Sequence, residues 1–150
     1  MSRPGQRVAI LPRPILDAIV AQAQAERPNE ACGLVIGSGT WSAAGAARRY
    51  EACRNALASP YRYEIHPDDL LRVSVMADDA DEAIWGIVHS HVRSAAVPSL
   101  TDVGLAFYPD ALYVLVSLAG DQADPVTGDP SVRAWRIVDG LVHEVVLEVS

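Results

Sequence analysis

The segment His89-Ser90-His91, followed by Ser99-Leu100-Thr101-Asp102, constrains this chain more than any other stretch. Residues i and i+2 of an extended segment point to the same side. His89 and His91 therefore aim both imidazoles at one point if they end a strand. Residues i and i+3 of a helix share a face, so Ser99 and Asp102 look toward a common point from a helix's first turn. Residues 92–98 are long enough to turn the chain back. The fold must then bring the C-terminal end of a strand against the start of a helix.

Two imidazoles and one carboxylate form a three-ligand zinc set that leaves a fourth tetrahedral position for water, as catalytic sites do. Zinc lowers the pKa of such a water to about 7. The chemistry also needs a general base and a donor for the developing oxyanion. Glu30, just ahead of the apolar run Cys32–Gly37, is the candidate base, and Ser99 the candidate donor. Ser90 points away from the two histidines and reads as backbone support. Ser99 three residues before Asp102 is also a helix N-cap pattern, and the two roles are compatible.

The rest of the chain reads as a mixed α/β domain with a central sheet, two larger helices, one short helix and a C-terminal hairpin. Arg7–Leu11 is a short strand. Pro14 opens a helix whose apolar face is Ile15, Leu16, Ile19, Val20 and Ala23, and Pro28 ends it. Cys32–Gly37 is a buried strand, with Thr40–Tyr50 returning as its partner. Tyr61–Ile65 alternates like a strand. Pro67, with Asp68 and Asp69 behind it, opens a second helix whose apolar face is Leu70, Val73, Ala77 and Ala80. Ile84–His89 is the next strand, and a short helix runs from Ser99 to about Tyr108. Ala111–Leu118 is an apolar, central strand. Asp139-Gly140 makes a two-residue hairpin between Val132–Val138 and Leu141–Val149. At 150 residues the chain suits one domain, residues 1–150.

Charge and composition exclude several functions. The net charge is −7, and all 12 basic residues are arginine. An acidic chain is a poor partner for nucleic acid or for anionic membranes, so neither is expected. Without lysine there is no Schiff-base chemistry and no P-loop lysine. No apolar run reaches the roughly 18 residues of a membrane span. Arg3 and Arg7 precede only Val8–Leu11, too short for a signal-peptide core, and a cytoplasmic location is expected. Cys32 and Cys53 read as buried thiols there. His66 reads as a cap or surface residue and His143 as structural. Asp78, Asp79, Asp81 and Glu82 read as solvated surface, and Arg48, Arg49, Arg54, Arg62 and Arg72 as scattered surface arginines. Trp41, Trp85 and Trp135 read as core or sheet-face residues.

The order Glu30 … His89-Ser90-His91-x7-Ser99-x2-Asp102 resembles the signature of the JAMM (MPN+) metalloproteases. Glu30-Ala31-Cys32-Gly33, Pro98-Ser99-x-Thr101-Asp102, Tyr113–Ser117 and Arg136–Gly140 resemble its small bacterial branch, and the likeness runs over roughly residues 7–149. The resemblance implies a JAMM/MPN fold of the cytidine deaminase-like type. It implies one Zn2+ per chain on His89, His91 and Asp102, Glu30 as general acid/base, and Ser99 polarising the oxyanion. It implies a substrate too: a ubiquitin-like sulfur-carrier protein with a Gly-Gly tail and an attached cysteine, which hydrolysis releases for cysteine biosynthesis. A homodimer is compatible with it. Competing readings are a JAMM deconjugase or processing peptidase for another ubiquitin-like or siderophore-pathway carrier, and a non-catalytic MPN-like scaffold. The scaffold predicts a missing ligand, and none is missing. A zinc nucleoside deaminase would need His-x-Glu and Pro-Cys-x-x-Cys, which are absent. Residues Val92–Val97 lack the threonines and the aromatic residue usual in the branch, which bears on substrate preference.

Overall fold

The computed structural model describes residues 7–150; Arg3 lies outside them. A short strand β1 (Ala9–Leu11) leads into helix α1 (Arg13–Glu26). Strands β2 (Cys32–Gly37) and β3 (Ala47–Cys53) follow, then helix α2 (Pro67–Asp79) and the long strand β4 (Ala83–His91). A short helix α3 (Leu100–Gly104) precedes strands β5 (Leu112–Ser117), β6 (Ser131–Val138), β7 (Leu141–Val145) and β8 (Leu147–Val149). Six strands form one mixed sheet in the order β3-β2-β4-β5-β6-β7, and β1 pairs with β8 apart from it.

Helices cover both faces of this sheet. On β5, Leu112, Val114 and Val116 pack with Ile15, Ile19 and Ala23 of α1. Tyr113 and Leu115, of the opposite parity, pack with Val73 and Ala77 of α2. Every residue of β2 and β5 is buried, as strands covered on both sides require. The mixed α/β expectation, with a central sheet flanked by helices, is borne out.

The site is placed by one topological fact. Within the six-stranded sheet β4 and β5 are parallel, with His91 beside Ser117, and the other neighbours are antiparallel. Parallel neighbours cannot be joined by a tight turn. The chain must leave the end of β4 and cross back to the start of β5. Helix α3 lies on that crossover, beside the strand end it has just left. Along β4, His89 and His91 share the parity of Ile87, which faces α2, and Ser90 takes the other face.

Several sequence expectations are corrected. Thr40–Ala46 is a looped segment, and the strand starts only at Ala47. Trp41 drops into the core edge-on to Trp85, and the Trp85 indole N–H donates to the Gly45 carbonyl at 2.8 Å, which folds the segment over. Tyr61–Ile65 is no strand beyond a single antiparallel bridge from Ile65 to Asn55, because much of its backbone is held by the Asn55 side chain. Asn55 Oδ1 accepts from Leu57 and Glu64 N–H groups, while its Nδ2 donates to Arg62 O at 3.0 Å. Tyr63 and Ile65 nonetheless turn inward, as the alternation implied. Helix α3 ends at Gly104, short of Tyr108, and leaves Leu105 and Phe107 exposed. The final strand breaks at Val146, where the chain leaves the sheet edge to pair β8 with β1. The hairpin itself is present, with Asp139 and Gly140 both at positive φ (51° and 76°). Glu82 is not solvated surface. Its side chain, 7% exposed, pairs with Arg48 at 3.2 Å and with Arg49. Arg54 grips Asp69 through two nitrogens at 3.1 and 3.0 Å, so these arginines serve the fold. His66 caps α2, its Nδ1 accepting from Asp68 N–H at 3.2 Å.

Candidate metal centre

His89 and His91 lie at the C-terminal end of β4, 1% and 5% exposed. Their Nε2 atoms are 3.2 Å apart. Asp102 Oδ2 lies 3.2 Å from the first and 3.1 Å from the second. The three atoms make a nearly equilateral triangle. Ligands about 2.0–2.1 Å from a tetrahedral zinc stand roughly 3.3 Å from one another, so the triangle has the size such an ion requires.

Proton accounting points the same way. His91 Nδ1 lies 2.8 Å from the Ala95 carbonyl, which only accepts, so Nδ1 carries a proton. In a neutral imidazole Nε2 is then a bare lone pair aimed at the Asp102 carboxylate. A cation at the centre of the triangle resolves that opposition, and the donor set fits zinc. Burial opposes ionisation of Asp102, but contacts from His89 and His91 outweigh it and hold the carboxyl well below the ordinary range. Burial also pushes the His89 imidazole down, toward the neutral form a metal ligand needs.

Asp102 is fixed by the start of α3. The Ser99 N–H donates to Asp102 Oδ2 at 2.8 Å, and the Asp102 N–H donates to Ser99 Oγ at 3.1 Å, a complete capping box. The box uses one acceptor site of the Ser99 hydroxyl and leaves its O–H free to donate.

Glu30 is 4% exposed, and its Oε1 has no hydrogen-bond partner among the described residues. Burial pushes its pKa up to about 7, with the charge of His91 pulling down and that of Asp102 pushing up. It lines a cleft of about 300 Å³ together with His91, Ser99 and Arg93. Ser90 supports this arrangement from behind: its Oγ accepts from the Ala31 N–H at 2.8 Å, and its own N–H donates to the Ala31 carbonyl. Glu30 is thereby tied to β4 through its chain neighbour.

The structure thus brings Glu30, His89, His91, Ser99 and Asp102 into one place, with Ser90 behind them. Two contributors were missed from sequence. Tyr63 stacks on the His89 ring, centroids 4.2 Å apart and planes 18° from parallel. Asn55 donates to the Glu30 carbonyl at 3.1 Å. The inward parity of Tyr63 was a usable signal, whereas nothing local marks Asn55. Tyr63 also lines an apolar groove of about 590 Å³ with Leu57, Leu70, Leu105 and Phe107. A further cleft of about 290 Å³ beside Ser74, Asp78 and Pro109 holds none of these residues.

A profile of prokaryotic homologs of the JAB domain matches residues 12–138. The chain belongs to this family. It is 39% identical over 140 residues to the CysO-cysteine peptidase of Mycobacterium tuberculosis, which covers 91% of this chain and 88% of that one. It is 30% identical over 119 residues to the desampylase of Haloferax volcanii, covering 75% of this chain and 84% of that one. A solved structure from Desulfitobacterium hafniense superposes with a TM-score of 0.80 at 27% identity, covering 95% and 93% of the two chains. This JAB-family chain is a peptidase, and His89, His91 and Asp102 form its possible metal-binding group. Among the described residues no helix is long and apolar enough to cross a membrane.

Proposed function

We propose that this chain is a JAMM-type zinc metallopeptidase, one domain over residues 1–150, that acts on a ubiquitin-like sulfur carrier. It hydrolyses the bond after the carrier's C-terminal Gly-Gly and releases cysteine, in the cytoplasm. The observation that carries this reading is the triangle of His89, His91 and Asp102 beside a buried Glu30 on a shared cleft. Likeness to the mycobacterial CysO-cysteine peptidases supports the substrate.

A zinc ion held by His89, His91 and Asp102 would supply Lewis acidity, acidifying water and polarising the scissile carbonyl. Glu30 takes a proton from the attacking water as its oxygen bonds to the carbonyl carbon. The Ser99 O–H donates to the oxygen that gains charge. Glu30 then hands the proton to the amide nitrogen, the C–N bond breaks, and cysteine leaves as the amine. The carrier keeps the new carboxylate on its last glycine. A carboxyl with a pKa near neutrality suits both halves of this transfer. The Gly-Gly tail has no side chains, so its backbone can approach the centre closely.

The test is intact-mass analysis of mycobacterial CysO carrying a C-terminal cysteine, incubated with zinc-loaded enzyme. The carrier should lose one cysteine, and chelator or Glu30→Gln should stop the loss. Zinc binding without cleavage of this carrier, but with cleavage of a lysine isopeptide conjugate, would replace the substrate by a desampylase-type one.

A further inference from the structure

This inference rests on the peptidase reading above and names what the enzyme recognises in the residue it releases. Glu30 fixes which half of the substrate occupies its cleft. Delivering a proton to the leaving nitrogen requires that nitrogen within hydrogen-bonding reach of the carboxyl. The residue beyond the scissile bond therefore sits in the cleft of about 300 Å³ that Glu30 lines with Pro28, Pro60, Tyr61, His91 and Arg93. A folded partner does not enter a space of that size, whereas a single amino acid does.

Among the described residues Arg93 is the one arginine lining this cleft. It follows His91 by two residues, and its side chain is exposed. Among the described residues it makes no hydrogen bond or ion pair, whereas Arg48, Arg49, Arg54 and Arg133 are all spent on carboxylates of this chain. The chain carries a net charge of −7, so an anionic ligand approaching it meets a repulsive field unless a local cation receives it. A released C-terminal amino acid carries just such an anion. Its α-carboxylate sits on the carbon attached to the leaving nitrogen. A lysine side-chain conjugate has only methylenes there.

We propose that Arg93 binds the free α-carboxylate of the departing residue and makes the enzyme selective for a single C-terminal amino acid over a lysine isopeptide. The planar guanidinium meets a carboxylate with two parallel N–H groups. No bond is made or broken by Arg93, and its contribution is to binding and placement of the leaving residue beside Glu30.

The experiment compares two forms of mycobacterial CysO-cysteine, the free acid and the C-terminal amide, on zinc-loaded wild type, Arg93→Gln and Arg93→Lys. Wild type should cleave the acid with kcat/KM about tenfold above the amide, mostly through KM, as a charge-assisted contact implies. Arg93→Gln should bring the two within about twofold, and Arg93→Lys should keep part of the preference. Calorimetric binding of both carriers to Glu30→Gln, with and without Arg93→Gln, should repeat the pattern without turnover. An acid-to-amide ratio in Arg93→Gln equal to wild type, with the acid still cleaved, overturns the role of Arg93 and leaves the peptidase reading intact. Failure of wild type and of every variant to bind or cleave either carrier overturns the sulfur-carrier reading and this inference with it.

Discussion

Glu30→Gln should stabilise the metal-free protein at neutral and alkaline pH. The Glu30 side chain is 4% exposed, with an unpartnered Oε1. Burial raises its pKa from 4.5 to about 7. Between those values the unfolded chain has lost the proton and the folded chain holds it. Stability from this group is therefore fully present below pH 4.5 and is lost as pH rises through 7. At about 1.4 kcal/mol per pH unit, the loss comes to about 3 kcal/mol. Glutamine fills the same space and does not titrate. Urea unfolding of both proteins, stripped of metal, should show little difference at pH 4.5 and an advantage for Glu30→Gln that grows to about 3 kcal/mol by pH 8. The other groups contribute nearly equally to both curves and cancel in the difference. A difference that stays flat across this range would refute the reasoning, because the carboxyl would then not be desolvated. The expected gain in stability coincides with the loss of activity expected under the proposed mechanism, the usual exchange at a strained site.

Two further outcomes follow from the same geometry. Ser90→Ala removes the acceptor of the Ala31 N–H, a bond of 2.8 Å in the interior, and should cost about 1–3 kcal/mol. Because Ala31 adjoins Glu30, kcat should fall more than KM, measured beside the denaturation curve. Asp69→Asn breaks the pair with Arg54. Hydrogen bonds from Arg54 hold the Asp69 pKa down to about 2, so the wild-type carboxylate stabilises the fold above pH 4 and loses that contribution as pH falls through 2. With Arg54 largely exposed, the screened loss should be about 1 kcal/mol at pH 7. It should vanish near pH 2 in paired thermal melts.

Much of the site was legible because its logic is local. The i, i+2 histidines and the Ser99–Asp102 pair each follow from the period of one element, and their spacing forces the crossover that joins them. Glu30 is different. Its approach depends on β2 pairing with β4, Cys32 beside His89; its position just ahead of the run Cys32–Gly37 made it a candidate, and the family resemblance supplied its role. The failures came where a side chain overrode a backbone pattern. Trp41 pulled Thr40–Ala46 out of the sheet, and Asn55 satisfied a segment that alternates like a strand. Neither competitor is visible in a periodicity count, since one is the distant contact of Trp41 with Trp85 and the other a set of side-chain hydrogen bonds from Asn55. The ion pairs of Glu82 and Asp69 were hidden for the same reason. A run of like charge reads as solvated until its partners on β3 and the following turn are known.

The claim on which everything else depends is that His89, His91 and Asp102 hold one zinc with a position left open. Zinc K-edge absorption, with the metal quantified per chain, tests it most directly. The account expects one zinc bound to two imidazole nitrogens at about 2.0–2.1 Å with oxygen completing the shell, and loss of that signal in His89→Ala and in Asp102→Ala. Zinc that is never retained, or that keeps the same spectrum and stoichiometry in those variants, would contradict it.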